Sequence, residues 1–186
     1  MKRIVFEAVV LLAALAAPAG AAGAWALPVV DGKVGAGEYA QSISLVYGDA
    51  TLSYSVDDSG GLYVAVRANT GGWVGVGLGS TVMDGAHIFM GFLKDGKQVF
   101  SEQLGQGHSH QPSPAAWADA SAMGQEQGVT TLELHVPAAK IQGLGNRIGF
   151  IVAFSGASDL TTYHEDNHDG GFIDLRASTL QEGVLP

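Results

Sequence analysis

Apolar and polar residues alternate with a period of two along much of this chain, in runs too short for helices. Residues 51–56 read T-L-S-Y-S-V, which sets Leu52, Tyr54 and Val56 on one face and Thr51, Ser53 and Ser55 on the other. Residues 130–136 set Leu132, Leu134 and Val136 against Thr131, Glu133 and His135. Residues 73–78 set Val74, Val76 and Leu78 against Trp73, Gly75 and Gly77. Looser strand patterns cover 42–47, 62–66, 87–93, 98–100 and 171–175. Residues 148–154 are nearly all apolar and predict a central strand, buried on both faces. Lys94-Asp95-Gly96-Lys97 is a hairpin signal between two of these runs. Helical pattern is confined to a turn or two at 115–122 and at 137–141, and the polar stretch 105–128 reads as a long loop with a short helix. Many short strands at close spacing predict an all-β fold, an antiparallel, immunoglobulin-like β-sandwich of about eight to ten strands.

The run from Gly71 to Gly79 is the densest in glycine. One whole face of its strand carries no side chain except Trp73. Glycine inside a strand permits close approach by something else. The face is either covered by a bulky neighbouring strand or a flat wall for a planar ligand.

The first 26 residues break the β pattern. Lys2 and Arg3 precede an apolar stretch at 4–17 that only Glu7 interrupts, and Pro18 and Gly20 end it. Ala24-Trp25-Ala26 then fits a small-x-small cleavage site, with Ala19-Gly20-Ala21 and Ala22-Gly23-Ala24 as alternatives. Residues 1–26 read as an export signal and 27–186 as one β-sandwich domain, in a periplasmic or secreted protein. An uncleaved anchor is the other reading, disfavoured because the apolar core is short and rich in alanine. Nothing later in the sequence approaches the length of a membrane span.

Composition narrows the chemistry. The chain has 186 residues and no cysteine, which excludes disulfides, thiolate metal sites and haem attached through cysteines. Without Lys2, Arg3 and Glu7 the remainder holds 7 basic and 17 acidic residues, a formal charge of −10. That balance speaks against gripping nucleic acid. No serine sits in a G-x-S-x-G elbow and no glycine loop precedes a helix, so no catalytic set is apparent and the chain does not read as an enzyme.

The candidate ligands are histidines and methionines. Met83 follows the glycine strand in a polar loop, as a gap-filling side chain or as a soft ligand to iron or copper. Met90 lies inside an apolar strand and reads as core, and Met123 has no pattern around it. His164 and His168 flank Glu165-Asp166-Asn167, as solvated loop residues or as imidazole ligands. Residues 165–170 start like a calcium loop, but Arg176 stands where its bidentate glutamate belongs. His108 and His110 are two apart, so in an extended segment they point the same way and could share a metal ion. His87 and His135 read as surface or internally satisfied residues.

In their order and spacing these pieces resemble the DOMON domain, the β-sandwich of the cytochrome domain of cellobiose dehydrogenase and of part of dopamine β-monooxygenase. The resemblance runs over roughly residues 29–176. It includes Val30-Asp31-Gly32-Lys33-Val34, Gly37-Glu38-Tyr39, Leu62-Tyr63-Val64-Ala65-Val66 and Gly72-Trp73-Val74-Gly75-Val76-Gly77. Met83-Asp84-Gly85-Ala86-His87-Ile88, Asp95-Gly96-Lys97, Tyr163-His164 and Gly170-Gly171 complete it, with His87 where the family usually has an acidic residue. Haem-binding members hold a b-type haem between a methionine after the glycine strand and a histidine near the C-terminal end. The resemblance therefore implies Met83 and His164 as axial ligands, with Trp73, Gly75, Gly77 and Phe92 lining the site. It implies an electron-transfer module with a redox partner protein. Other members bind sugars, which would use Trp73, Trp117 and Tyr163 as stacking platforms. The departure at His87 and the extra His108, His110 and His168 leave copper as an alternative.

Overall fold

The alternating patterns become two facing antiparallel sheets in a computed structural model that describes residues 26–176. The leader expected at 1–26 lies outside the described residues but for its last position. Sheet one is built from β1 (Gln41–Leu45), β2 (Ala50–Val56), β3 (Leu62–Ala68), β8 (Ala120–Glu126) and β9 (Val129–Val136), in the order β1-β2-β3-β9-β8. Sheet two is built from β4 (Val74–Leu78), β5 (His87–Lys94), β6 (Lys97–Gln106), β7 (Ser109–Pro112), β10 (Arg147–Phe154) and β11 (His168–Asp174), in the order β11-β10-β4-β5-β6-β7. The expected β-sandwich is thus present, with 11 strands among the described residues. None of their helices is long and apolar enough to cross a membrane.

Period-two patterning decides which side chains meet between the sheets. Val64 and Val66 of β3 and Leu132, Leu134 and Val136 of β9 face Val74, Val76 and Leu78 of β4 and Ile148, Phe150 and Val152 of β10. All are buried, at about 1.5–3 kcal/mol for each large aliphatic side chain removed from water. The Lys94–Lys97 pair closes the β5–β6 hairpin as expected, with Asp95 and Gly96 both at positive φ (51° and 73°). That backbone twist matches the flanking strands.

Two expectations fail in the irregular middle of the chain. Residues 115–122 form no helix, although Ala138–Ile141 does form one, α1. Nor is 105–128 a long loop. Ser109–Pro112 pairs with β6, and Ala120–Glu126 pairs along β9. Glu102 accepts a hydrogen bond from the Trp117 N–H at 2.7 Å, holding the connection extended. Ladder pairing with an existing strand outweighs the weak helix preference of a few alanines.

The outer faces of the two sheets differ. Sheet one carries Glu133, fully buried, which accepts hydrogen bonds from the backbone N–H groups of Asp31, Gly32 and Lys33 and from the Tyr39 hydroxyl at 2.6 Å. The entering chain is thereby fastened across β9. Burial raises the Glu133 carboxyl above its ordinary range, in spite of the four donors. Sheet two is apolar on its outer face as well. Trp73, Ala86, Ile88, Met90 and Phe92 form a second buried cluster there, separate from the main core.

Candidate functional site: a cavity on the glycine strand

Strand β4 lies between β10 and β5, and register fixes what surrounds its glycines. Gly75 pairs with Ala153 on one side and Met90 on the other; Gly77 pairs with Ile151 and Ile88. The floor is therefore a low track along β4 between two apolar ridges. The track is close-packed. A Cβ at 77 would come within 2.7 Å of Ile151 Cγ1, and one at 75 within 3.2 Å of Met90 Cβ. Ile151 leans over Gly77 as a bulky neighbour, and both glycines line a cavity of about 1000 Å³. That volume is at the upper end of small-molecule sites, which run from about 300 to 1000 Å³.

Two loops close over this floor from opposite ends. Leu78 pairs with Phe150 and Val74 with Phe154, so the loop after β4 and the loop after β10 leave the sheet at opposite ends. The first carries Met83 and the second His164, and both side chains line the cavity. The Met83 loop is clamped onto β6. The Gly85 N–H donates to the Gly105 carbonyl at 3.1 Å, and the Gly105 N–H donates to the Ala86 carbonyl at 2.8 Å. Gly105 has no side chain because the Met83 carbonyl occupies the place of its Cβ. Met83 itself is half-buried against the second cluster.

The His164 loop is held by Trp73. The Ser155 N–H donates to the Trp73 carbonyl and the Trp73 N–H to the Ala157 carbonyl, each at 3.0 Å, while the indole Nε1 donates to the Thr162 carbonyl at 3.2 Å. His164 sits in a tight turn, closed by the Asn167 N–H donating to its carbonyl at 3.0 Å, with Glu165 at φ 54°. The His164 Nδ1 lies 2.8 Å from the Glu165 carbonyl, which can only accept, so Nδ1 carries a proton. Nε2 of the neutral ring then keeps its lone pair, the arrangement found in metal-bound imidazoles. Burial holds the imidazole below its ordinary value, which favours this neutral form.

The structure gathers most of the residues singled out from the sequence. Trp73, Gly75, Gly77, Met83, His108, His110, His164 and His168 all line the one cavity. Phe92 shares the face and is buried in the second cluster, but does not line the cavity. Among the described residues no three His, Asp or Glu side chains converge as a metal site, so His108, His110 and His168 form no such cluster. Trp117 stacks on His87, with ring centroids 3.3 Å apart, and packs toward the main core, so Trp73, Trp117 and Tyr163 make no common platform. His135 lies on the other sheet, with Nδ1 2.6 Å from Asp119 and Nε2 3.2 Å from Asp57. The apolar run around Met90 predicts a core side chain. It is buried, yet it belongs to the cavity face beside Gly75. Only the cross-strand register reveals this, along with Ile151 and Ala153.

No protein-family model matches the chain, and no curated protein matches it. Solved structures with the same fold include the cytochrome b domain of pyranose dehydrogenase from Coprinopsis cinerea. It is 15% identical with a TM-score of 0.57, covering 74% of this chain and 83% of that one. They also include the cytochrome domain of Myriococcum thermophilum cellobiose dehydrogenase, 11% identical with a TM-score of 0.50, covering 69% of this chain and 76% of that one. The likeness is one of fold, and the fold is the one that the DOMON resemblance implies.

Proposed function

We propose that this chain is an exported b-type cytochrome module, a one-electron carrier that holds haem between Met83 and His164 and turns over no substrate of its own. The observation that carries the reading is the placement of these two donors on loops from opposite ends of one sheet, over the face that Gly75 and Gly77 keep low. The residues present fit a flat macrocycle. The floor is apolar, the cavity is large, and a thioether and a lone-pair imidazole are the only strong iron donors needed by a noncovalent haem. The absence of cysteine is consistent with noncovalent attachment.

When bound, the haem supplies a one-electron couple, and two protein ligands favour electron transfer over oxygen chemistry. The chain does the rest. Trp73 and its three hydrogen bonds position the turn that presents His164. Gly105 and the β6 edge position the turn that presents Met83. Ile88, Met90, Ile151 and Ala153 exclude water from the floor. The leader at 1–26 sends the protein out of the cytoplasm, and the acidic mature charge suits a basic redox partner. The fold shared with two cytochrome domains supports the same reading.

The test is titration of the purified protein with haemin. A Soret band that saturates at one equivalent, and that sharpens on reduction into a six-coordinate low-spin spectrum, is expected. No Soret band above that of free haemin, or copper bound in place of haem, contradicts the reading.

A further inference from the structure

A b-type haem is not wholly apolar: it carries two carboxylates that must lie against something polar. Neither Lys nor Arg lines the cavity, so the usual partners of an anion are missing from its walls. Apart from the hydroxyls of Thr81, Thr161 and Thr162, the polar lining falls into two parts. One is the His164 turn, which continues into His168 and Asp169 and also bears Glu165 and Asp166. Carboxylates repel carboxylates there, and the His168 Nδ1 is turned to the Glu165 carbonyl at 3.2 Å. The other is the β6–β7 hairpin, which brings His108, Ser109 and His110 to the rim.

This hairpin is built as a fixed wall. His110 pairs across the ladder with Gly105, the residue on which the Met83 carbonyl rests. The Gly107 N–H donates to Asp84 Oδ1 at 2.8 Å, which ties the hairpin tip to the Met83 loop. Glu102, the other acid nearby, is engaged by the Trp117 N–H. The His110 Nδ1 lies 3.4 Å from Gln103 Oε1, which steadies the ring. Imidazole N–H groups and the Ser109 hydroxyl are hydrogen-bond donors that a carboxylate can accept.

The geometry points to His108, Ser109 and His110 as the site that receives the haem carboxylates, which fixes which edge of the macrocycle faces the β6–β7 hairpin. This rests on the haem reading above. It gives the two histidines, which join no metal cluster among the described residues, a role in retention rather than ligation.

The test compares haem with its dimethyl ester, which lacks the free carboxylates. The holoprotein and a His108→Ala/His110→Ala variant are each loaded with either porphyrin, and transfer to excess apomyoglobin is followed in the Soret region. The variant should lose haem about tenfold faster, the equivalent of about 1.4 kcal/mol, and should lose the ester at the native rate. Its Met83 and His164 spectrum should be unchanged. Equal acceleration for haem and ester would mean the hairpin only packs against the ligand, and no acceleration for either would mean it does not touch it; both overturn the inference and leave the cytochrome reading standing. If neither protein takes up haem, the cytochrome reading falls and this inference falls with it.

Discussion

The indole Nε1 of Trp73 donates to the carbonyl of Thr162 at 3.2 Å, joining the edge of the glycine strand to the turn that presents His164. Trp73 is buried, so its N–H has no water to turn to if that carbonyl moves away. Trp73→Phe removes the bond and keeps most of the packing. Stability should fall by about 1–2 kcal/mol in urea unfolding, and haem should dissociate faster because the loop is no longer held. A Trp73→Phe protein with native haem retention would show that the loop is positioned without this contact.

Gly105 makes a complementary test at the other loop. The Met83 carbonyl lies where a side chain at 105 would begin, so Gly105→Ala must push the Met83 turn away from β6. A loss of about 2 kcal/mol or more in urea unfolding is expected, because the obstacle is backbone and not a flexible side-chain tip. The same change at Gly143, where no atom lies within 4 Å of a Cβ, should cost much less.

The buried Glu133 gives a prediction that separates the scaffold from the site. Three of its four partners are backbone N–H groups on Oε2 and the fourth is the Tyr39 hydroxyl on Oε1, so an amide at this position replaces charge-assisted hydrogen bonds with weaker neutral ones. Glu133→Gln should destabilise the protein by about 2–3 kcal/mol. The haem spectrum should remain native, since Glu133 is on the sheet opposite the cavity.

His87 makes the fold sensitive to acid. Burial, assisted by the charge of Lys140, holds its pKa below the ordinary 6.5. The unfolded chain therefore binds a proton before the folded one does, and stability falls as pH drops through 6.5 toward the lower folded value. Above 6.5 both states are neutral and the effect vanishes. Thermal melts at pH 7.5 and pH 5 should differ less for His87→Phe than for the native chain, which would keep the stack on Trp117 without the titration.

Most strands were legible in the sequence because alternation is a local signal. Leu132, Leu134 and Val136 announce their common face within one segment. The two loops that carry Met83 and His164 were also legible, through their motifs. What stayed hidden depends on partners distant in sequence. Met90 and Ile151 look like core until register sets them beside Gly75 and Gly77. β7 and β8 are poor in β-branched residues, and they form because β6 and β9 offer unpaired edges. The fate of Trp117 was hidden for the same reason, since its stacking partner His87 lies thirty positions earlier.

The central claim is axial ligation by Met83 and His164, and absorption spectra of haem-loaded Met83→Ala and His164→Ala test it most directly. In the native protein, ferric and ferrous spectra should both be six-coordinate and low-spin. Met83→Ala should keep haem but turn high-spin and shift the reduction potential downward, because thioether ligation favours the ferrous state. His164→Ala should lose most of the Soret band. Native low-spin spectra in both variants would contradict the account and move the ligands elsewhere on the chain.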